Sequence, residues 1–168
     1  ESAAFMTGNA VGKPEGIVTN SAVGVTNSGS AALLTADGII DLAYAPKHGY
    51  ASRGAFLMRR ATMAAVRKLK DGNGQYLWQV GIMAGQPSLL LGYPMHEAPE
   101  LAAVAANAKP VIYGDYYRGY DIVDRVQMNI LRDPFTQAAT GKTRFIFRRR
   151  VGGQVVVAEA MQIQKCAA

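Results

Sequence analysis

Few side chains in this sequence have the type and spacing that catalysis requires. The segment Thr140-Gly-Lys-Thr143 matches the end of a phosphate-binding loop. That motif also needs a glycine five positions before Gly141, where this chain has Thr136. It needs a helix after the loop as well, whereas the residues from Arg144 onward are typical of a strand. Nucleotide binding at this segment is therefore the weaker interpretation.

The residues that bind metals or act as nucleophiles are scattered along the chain. His48 and His96 are the only histidines, and neither has a partner at the spacing of a helical metal site. Several aspartates lie between residues 115 and 124, where turns are predicted and aspartates commonly bind the local backbone. The single cysteine, Cys166, has no second thiol with which to form an internal disulfide. We therefore predict no enzymatic activity, no metal site and no cofactor.

Length, composition and charge are those of a globular protein with a basic surface. The 168 residues are 49% hydrophobic and 18% charged, and the formal net charge is +6. The basic residues are not interleaved with stacking aromatic residues, so we expect only a sequence-independent attraction to DNA phosphates. No apolar run reaches the roughly 20 residues that span a bilayer, and we expect no membrane partner. The chain lacks an initiator methionine and a signal peptide, which predicts a processed or truncated product.

The first part of the chain predicts helices, a loop and a buried strand. Residues 1–6 are typical of the end of a helix. Residues 19–30 are rich in Asn, Ser, Thr and Gly and predict an exposed loop. A helix is predicted from Thr35, whose side chain is suited to cap it, to a stop at Pro46, with an apolar face of Ile39, Ile40, Leu42 and Ala43. Residues 54–58 form a short apolar run that predicts a buried strand.

A one-sided helix is predicted directly after this strand, over residues 59–70. Met63, Val66 and Leu69 fall on one helical face, which indicates a helix that packs on a core. The segment 71–74, Asp-Gly-Asn-Gly, predicts its stop, because Asn and Gly tolerate a positive φ.

The second half of the chain predicts mainly strands. A loop is predicted over residues 81–90, and either one bent strand or two short ones within residues 120–132. A polar connection follows up to Lys142, and Gly152-Gly153 predicts a hairpin-like break. The remaining predicted strands are residues 91–95, 111–114, 143–150 and 154–163.

A run of three arginines, Arg148, Arg149 and Arg150, falls within one predicted strand. Successive strand residues point to opposite faces, so at least one arginine emerges on each face. One interpretation is a solvated edge strand that its charge protects from aggregation. The other is salt bridging between subunits, to which the planar guanidinium is suited, and we favour this second interpretation.

The chain resembles the major capsid proteins of tailed bacteriophages, which have the Hong Kong 97-type fold. The resemblance rests first on residues 54–78, GAFLMRRATMAAVRKLKDGNGQYLW, where a strand leads into a helix and then a Lys-Asp-x-x-Gly-x-Tyr turn. Other pieces match in the same order and together cover nearly the whole chain. These are residues 8–16, 90–94, 113–115, 119–125, 131–136 and 150–153.

The resemblance implies an α+β fold with two lobes. An axial lobe of mixed sheet with flanking helices would hold residues 17–125 and the return strand 152–168. Part of a peripheral, β-rich lobe would hold the end of the spine helix and its turn, residues 1–16, and the strands and loop of residues 126–151. The loop 133–142 would then lie where subunits meet at three-fold positions.

The resemblance also implies a structural function. The protein would be a subunit of an icosahedral phage or prophage capsid, assembled in the bacterial cytoplasm from hexamers and pentamers that enclose double-stranded DNA. Its partners would be copies of itself, DNA through non-specific contacts, the portal, and a scaffold or protease. One alternative is the shell protein of a cellular nanocompartment of the same fold, and a second is a small nucleotide-binding enzyme. The residues predicted to make contacts between subunits are Arg59, Arg60, Asp133, Lys142, Arg148, Arg149 and Arg150.

Departures from the family pattern limit this expectation. The amino-terminal arm, the extended loop and most of the spine helix do not occur in this sequence, so we expect that this chain does not close a shell by itself. Some relatives join subunits through a Lys–Asn isopeptide bond. The loop that carries the lysine is missing here, and no asparagine lies between Leu131 and Arg150. We therefore predict no covalent cross-link in this chain.

Overall fold

A six-stranded mixed sheet and a separate two-stranded ribbon form the framework of the described structure. A computed structural model describes residues 2–77 and 89–167, with the side chains of all of these except residues 126 and 127. The sheet has the order β1-β8-β5-β2-β4-β3, in which β1 with β8 and β2 with β4 are parallel and the other pairs antiparallel. The ribbon pairs β6 with β7. The strands are β1 (Gly24–Asn27), β2 (Ala55–Met58), β3 (Leu89–Leu90), β4 (Tyr93–Glu97), β5 (Val111–Gly114), β6 (Tyr120–Asp133), β7 (Arg144–Val155) and β8 (Met161–Lys165).

Five short helices flank these strands within the described residues. They are α1 (Ser2–Thr7), α2 (Ala36–Tyr44), α3 (His48–Ala51), α4 (Arg60–Arg67) and α5 (Tyr116–Gly119). The mixed α+β class predicted from the sequence is therefore confirmed. The helical end predicted near the start of the chain is also confirmed, as α1, within residues 2–6.

The core is centred on β5, whose four residues are all buried. On one face of the sheet, Phe56 and Tyr113 pack against each other with ring centroids 4.6 Å apart. The Tyr113 hydroxyl donates to the carbonyl oxygen of Ala51 at 2.9 Å, which satisfies the one polar atom of this buried ring. Ile112 and Ile163 pack together in a second apolar cluster, and burial of both clusters supplies most of the stabilisation of the sheet.

Helix α2 forms as the sequence predicts, with one difference at its exposed side. The Thr35 side chain accepts a hydrogen bond from the Gly38 amide at 3.1 Å, which confirms the predicted cap. Gly38 is buried because the backbone of Ser28 lies against it. The absence of a side chain at Gly38 allows this contact, although glycine is otherwise unfavourable within a helix. Ile40 is exposed, although the helical pattern had placed it on the apolar face.

Residues 54–77 also follow the prediction. β2 is a buried strand, and α4 packs through Val66, with Met63 and Leu69 partly buried beside it. After the helix, the Asp71 carboxylate accepts hydrogen bonds from two backbone amides in a turn that contains Gly74 at a φ of 83°. The last residue of the matching stretch, residue 78, and the predicted loop residues 81–88 lie outside the described residues.

Two predictions of local structure are wrong. Residues 19–30 contain β1, because the edge of β8 supplies a partner that no local pattern indicates. Gly152 and Gly153 do not break a hairpin, since β7 continues through both and they pair with Val123 and Ile122. Gly153 is required there by close packing and not by a turn, because a Cβ atom would lie 2.5 Å from the Tyr120 hydroxyl.

Two further strand predictions need smaller corrections, and a third, which left two alternatives open, is resolved. The strand predicted at residues 91–95 is shifted, because Leu91 and Gly92 form a turn with positive φ and β4 starts at residue 93. The strand predicted over residues 154–163 is interrupted, because β7 ends at Val155, a 3₁₀ turn follows at Ala158–Ala160, and β8 begins at Met161. The prediction for residues 120–132 resolves as one bent strand. The ribbon extends beyond residues 126–151 at both ends, and the division into lobes stays a prediction.

The backbone of Ser28 lies close to Gly38, so we expect substitution by alanine to have different effects on stability at Gly38 and at Gly49. Gly38→Ala is expected to lower the free energy of unfolding by about 1–3 kcal/mol, because the added Cβ would lie 2.7 Å from the Ser28 carbonyl oxygen. Gly49→Ala in α3 is the control, since a Cβ there meets nothing within 4 Å. This control is expected to be stabilising by about 0.5–1 kcal/mol. Urea unfolding measures both, and equal effects would contradict the packing assigned to Gly38.

Candidate functional site

The phosphate-loop segment folds as the tip of the ribbon. Ala138–Thr140 form a 3₁₀ turn, Gly141 follows at a φ of 67°, and β7 starts at Arg144. A strand thus follows the segment, as predicted, and the helix that would bind a phosphate at its amino terminus does not occur there. The geometry does not support nucleotide binding at this position.

The other candidates for chemistry are not brought together. Among residues 2–77 and 89–167, no group of three or more His, Cys, Asp or Glu residues is placed to hold a metal ion. His48 and His96 are exposed on separate elements, and Asp115 caps α5. Cys166 is buried, and burial raises the pKa of its thiol, which disfavours the reactive thiolate. No helix in the described part of the chain is long and apolar enough to cross a membrane.

The ribbon carries most of the residues predicted to make contacts. β6 and β7 are antiparallel, and two register shifts each add one residue to β6, between Asp124 and Val126 and between Val126 and Asn129. β7 itself runs without a shift. Its odd- and even-numbered residues therefore point to opposite faces along its whole length.

This alternation separates the predicted arginines. Arg148 and Arg150 lie on one face of the ribbon together with Arg144, and Arg149 lies on the other face. The Arg149 guanidinium donates to both carboxylate oxygens of Asp124, at 3.2 and 2.6 Å, in a bidentate ion pair within the subunit. The prediction that an arginine emerges on each face is thus confirmed. The bond of Arg149 to its own chain makes it the least suited of the three to pair with a neighbour.

The face that carries Arg149 also carries a group of exposed apolar side chains, next to Arg132, which pairs with Phe145. Ile130 pairs directly with Phe147, and Phe145 lies on the same face. All three side chains are more than half exposed, with Phe147 at 61%. Sequence reasoning missed this surface. The sequence signal for an apolar face was the alternation of aromatic and other residues at positions 145–147. The sequence could not show that this face stays exposed, as it does within the described residues.

The tip of the ribbon is ordered by Asp133. Its carboxylate accepts hydrogen bonds from the Thr136 hydroxyl and from the amides of Phe135 and Thr136. The Thr136 hydroxyl bond, with these backbone bonds, holds the pKa of Asp133 below its usual value, and Arg144 across the ribbon acts in the same direction. Phe135 is left 85% exposed at the tip, and Lys142 is also exposed.

Arg59 and Arg60 lie on a different part of the molecule from the ribbon arginines. Arg59 directly follows β2 at the start of α4, and its carbonyl oxygen accepts from the Met63 amide at 2.9 Å. Both arginine side chains are exposed. The predicted contact residues therefore form two separate groups, one on the six-stranded sheet and one on the ribbon.

A compact joint links the ribbon to the rest of the molecule. The Tyr120 hydroxyl donates to the Glu15 carbonyl oxygen at 2.6 Å, and burial raises the pKa of Tyr120 to about 12, so this donor stays protonated. The Glu15 amide donates to the Gly153 carbonyl oxygen at 2.9 Å. Phe5 of α1 packs edge-on against Tyr120 with centroids 6.1 Å apart. The first helix, the glycine-rich turn of residues 8–16 and both ribbon strands thus meet at one point.

The hydrogen bonds of the Asp133 carboxylate predict that the ribbon tip loses stability in acid. Because the folded pKa of Asp133 is lowered, its stabilisation of the tip is present above its unfolded pKa and is lost as the pH falls through the folded value. The Thr136→Val variant removes the hydroxyl group that donates to this carboxylate, and the pKa of Asp133 is expected to rise towards its ordinary value. Carboxyl chemical shifts followed by NMR over an acid titration measure this change. An unchanged midpoint in the variant would contradict the assigned hydrogen bond.

The packing at this joint indicates that substitution by alanine is tolerated at one of two adjacent glycines and not at the other. Gly153→Ala is expected to destabilise the protein by about 1–3 kcal/mol, because its Cβ would also lie 2.9 Å from the Phe5 ring. Gly152→Ala is the matched control, as its Cβ meets only the Val123 carbonyl oxygen at 3.9 Å. Thermal unfolding compares the two variants with the parent chain. A loss at Gly152 as large as that at Gly153 would argue against the joint.

Comparison with known proteins places this framework among capsid proteins. A model of the phage capsid family matches residues 1–166. The chain is 37% identical to the capsid of a native GTA particle, with a TM-score of 0.88, and 36% identical to that of an empty GTA particle, with a TM-score of 0.87. Each match covers 99% of this chain and 60% of the GTA capsid chain.

A more distant structure shares the fold alone. The chain of Gordonia phage Cozz is 15% identical, with a TM-score of 0.70, over 99% of this chain and 58% of that one. No curated protein matches the sequence. This chain thus spans 60% of the length of the GTA capsid chains to which it is similar.

Proposed function

The chain belongs to the phage capsid family, and we propose that it is part of a structural subunit of an icosahedral phage or prophage head. The likeness to the capsids of GTA particles over 99% of this chain is the observation that supports this function most directly. In this proposal the subunit is a component of the virion and has no catalytic role. It works through surfaces that bind further copies of itself.

The ribbon supports this proposal on physical grounds. A two-stranded ribbon is marginally stable on its own, because it has no layer against which to bury its side chains. Here Ile130, Phe145 and Phe147 expose an apolar face, and such faces commonly mark protein–protein contacts. We propose that chain segments of neighbouring subunits, or of the same subunit outside this sequence, cover this face in the assembled shell.

The larger assembly follows from repetition of such contacts. Hexamers and pentamers of the subunit would close around double-stranded DNA, with many modest interfaces that reinforce one another. The axial lobe, peripheral lobe and three-fold loop inferred from the family are part of this proposal. So are assembly in the host cytoplasm, non-specific contacts with DNA, and contacts with a portal and with a scaffold or protease.

Two alternatives have specific tests. A nanocompartment shell of the same fold would enclose enzymes, and the neighbouring genes distinguish it, because terminase, portal and protease genes accompany a phage head. A nucleotide-binding function at residues 140–143 would require stoichiometric binding of ATP in equilibrium dialysis. The strand that follows this segment in the structure argues against that second alternative.

The exposed arginines of the ribbon provide a direct test of the assembly role. Arg148→Glu together with Arg150→Glu, in the complete gene product, is expected to lower the yield of closed shells at least about tenfold, because like charges at an interface are strongly unfavourable. Both side chains are exposed, so the free energy of unfolding should change by less than about 0.5 kcal/mol for each.

Electron microscopy of purified particles measures the yield of shells. Arg148→Lys with Arg150→Lys is the control, since it keeps the positive charge and loses only the planar guanidinium group with its paired donors. This control should retain much of the wild-type yield. Normal closed shells from the glutamate variant would contradict the role of this face.

A further inference from the structure

Phe135 is the most exposed large apolar side chain of the described residues, and it lies at the tip of the ribbon. Its ring is 85% exposed, although the burial of an aromatic ring is strongly favourable. β6 carries the tip about 40 Å away from the joint at Tyr120, because each of its 14 residues advances about 3.3 Å. The ring is therefore left uncovered by every part of the chain that the structure describes.

Hydrogen bonds on both sides of Phe135 hold its backbone in place. The Phe135 amide donates to the Asp133 carboxylate at 3.0 Å, and the Phe135 carbonyl oxygen accepts from the Ala138 amide at 3.2 Å. Pro134, between Asp133 and Phe135, has its φ angle fixed by its own ring. The tip thus presents the aromatic ring from an ordered turn, and a group presented in this way loses little conformational entropy when it binds. This is the property of an anchor residue in a protein–protein contact.

The residues around this ring carry charges of both signs. Arg132 and Lys142 lie at the same end of the ribbon as Asp133, and both basic side chains are exposed. Within the described residues, neither of them forms an ion pair. The Asp133 carboxylate accepts three hydrogen bonds from its own turn, whereas its two oxygens offer about four acceptor positions. A tip of this composition is complementary to a second copy of itself, because the basic groups of one copy suit the carboxylate of another.

Other partners would satisfy only some of the groups at this tip. DNA phosphates would attract Arg132 and Lys142, but they would repel Asp133 and offer the ring no apolar contact. An apolar pocket at the joint, beside Phe5 and Tyr120, has space for a ring. No charged residue is among the described side chains that line this pocket, so it would leave the charges of the tip without partners. The tip of a second copy offers an apolar ring and charges of both signs together.

From this arrangement we infer that the Phe135 rings of neighbouring copies pack together where their ribbon tips meet around a symmetry axis. The inference rests on the proposed capsid function and names the side chain through which the loop 133–142 binds other copies. Phe135 is not among the contact residues predicted from the sequence. Rotational symmetry brings the same side chain of each copy to the axis, so a single ring from each subunit is enough to form a shared apolar cluster.

Photocrosslinking from position 135 in the complete gene product tests this contact. Benzoylphenylalanine in place of Phe135 keeps an aromatic side chain, and ultraviolet light joins it covalently to the groups that surround it. Irradiated shells are expected to yield covalent subunit dimers in which residues 133–142 of one copy are joined to residues 133–142 of another. Mass spectrometry of the digested dimers identifies the joined peptides. Benzoylphenylalanine at Val11, which is 77% exposed on the glycine-rich turn, is the control and is expected to give no link to residues 133–142.

Two substitutions at the same position measure the effect of the ring on assembly. Phe135→Ser is expected to lower the yield of closed shells at least about tenfold, because every copy loses its anchor. Phe135→Leu keeps an apolar side chain and should retain much of the wild-type yield. Gradient sedimentation with electron microscopy measures the yield. Thermal melting of both variants is expected to match the wild-type protein, since the ring is exposed within the subunit.

Several outcomes would overturn the inference and leave the capsid function standing. Closed shells that give no dimers on irradiation would do so, as would links from position 135 to the pocket beside Phe5, to another part of the ribbon, or to DNA. A normal yield of closed shells from Phe135→Ser would also overturn it. If the wild-type protein forms no shells, the proposed function itself fails, and the inference fails with it.

Discussion

The burial of one four-residue strand determines the rest of this structure. β5 is buried at every residue and pairs on both sides, with β2 on one edge and β8 on the other. These two neighbours are more than one hundred positions apart in the sequence, and β5 joins them in one sheet. Loop closure of this kind costs entropy, and the apolar clusters on both faces of the strand offset that cost. β1 and β4 are then added to edges that already exist.

The ribbon depends on that core through very few atoms. Tyr120 both ends the buried region and starts β6, and its ring and hydroxyl contact α1 and the glycine-rich turn together. Beyond this joint the ribbon strands contact mainly each other, so the stability of the distal part rests on cross-strand pairs such as Ile130 with Phe147. The distal ribbon is therefore an extended surface whose apolar side chains, such as Ile130, Phe145 and Phe147, are left exposed within the described chain.

The arrangement of charge leads to the same conclusion. The structure separates the ribbon arginines into one internal ion pair, of Arg149 with Asp124, and a basic face that carries Arg148 and Arg150. Exposed ion pairs contribute little to the stability of a monomer, so charges arranged in this way have little effect on folding. They have a larger effect on which surfaces of neighbouring molecules come together and in what orientation. A structural role in a capsid uses these properties and requires no chemically reactive group.

The sequence alone determined the features that depend on residues close in the chain. The Thr35 cap, the strand–helix–stop pattern of residues 54–74, and the appearance of arginines on both faces of β7 follow from local geometry, and each is confirmed. The family resemblance followed from the order of such local pieces, and it too is confirmed.

Only the tertiary structure decided which distant segments meet. The pairing of β1 with β8, the close approach at Gly153 and the bond between Arg149 and Asp124 each join parts of the chain that no local pattern connects. The same holds for the uncovered face of the ribbon. The physical reason is that backbone propensities act over a few residues, whereas burial and pairing are decided by whichever surfaces the folded chain brings into contact.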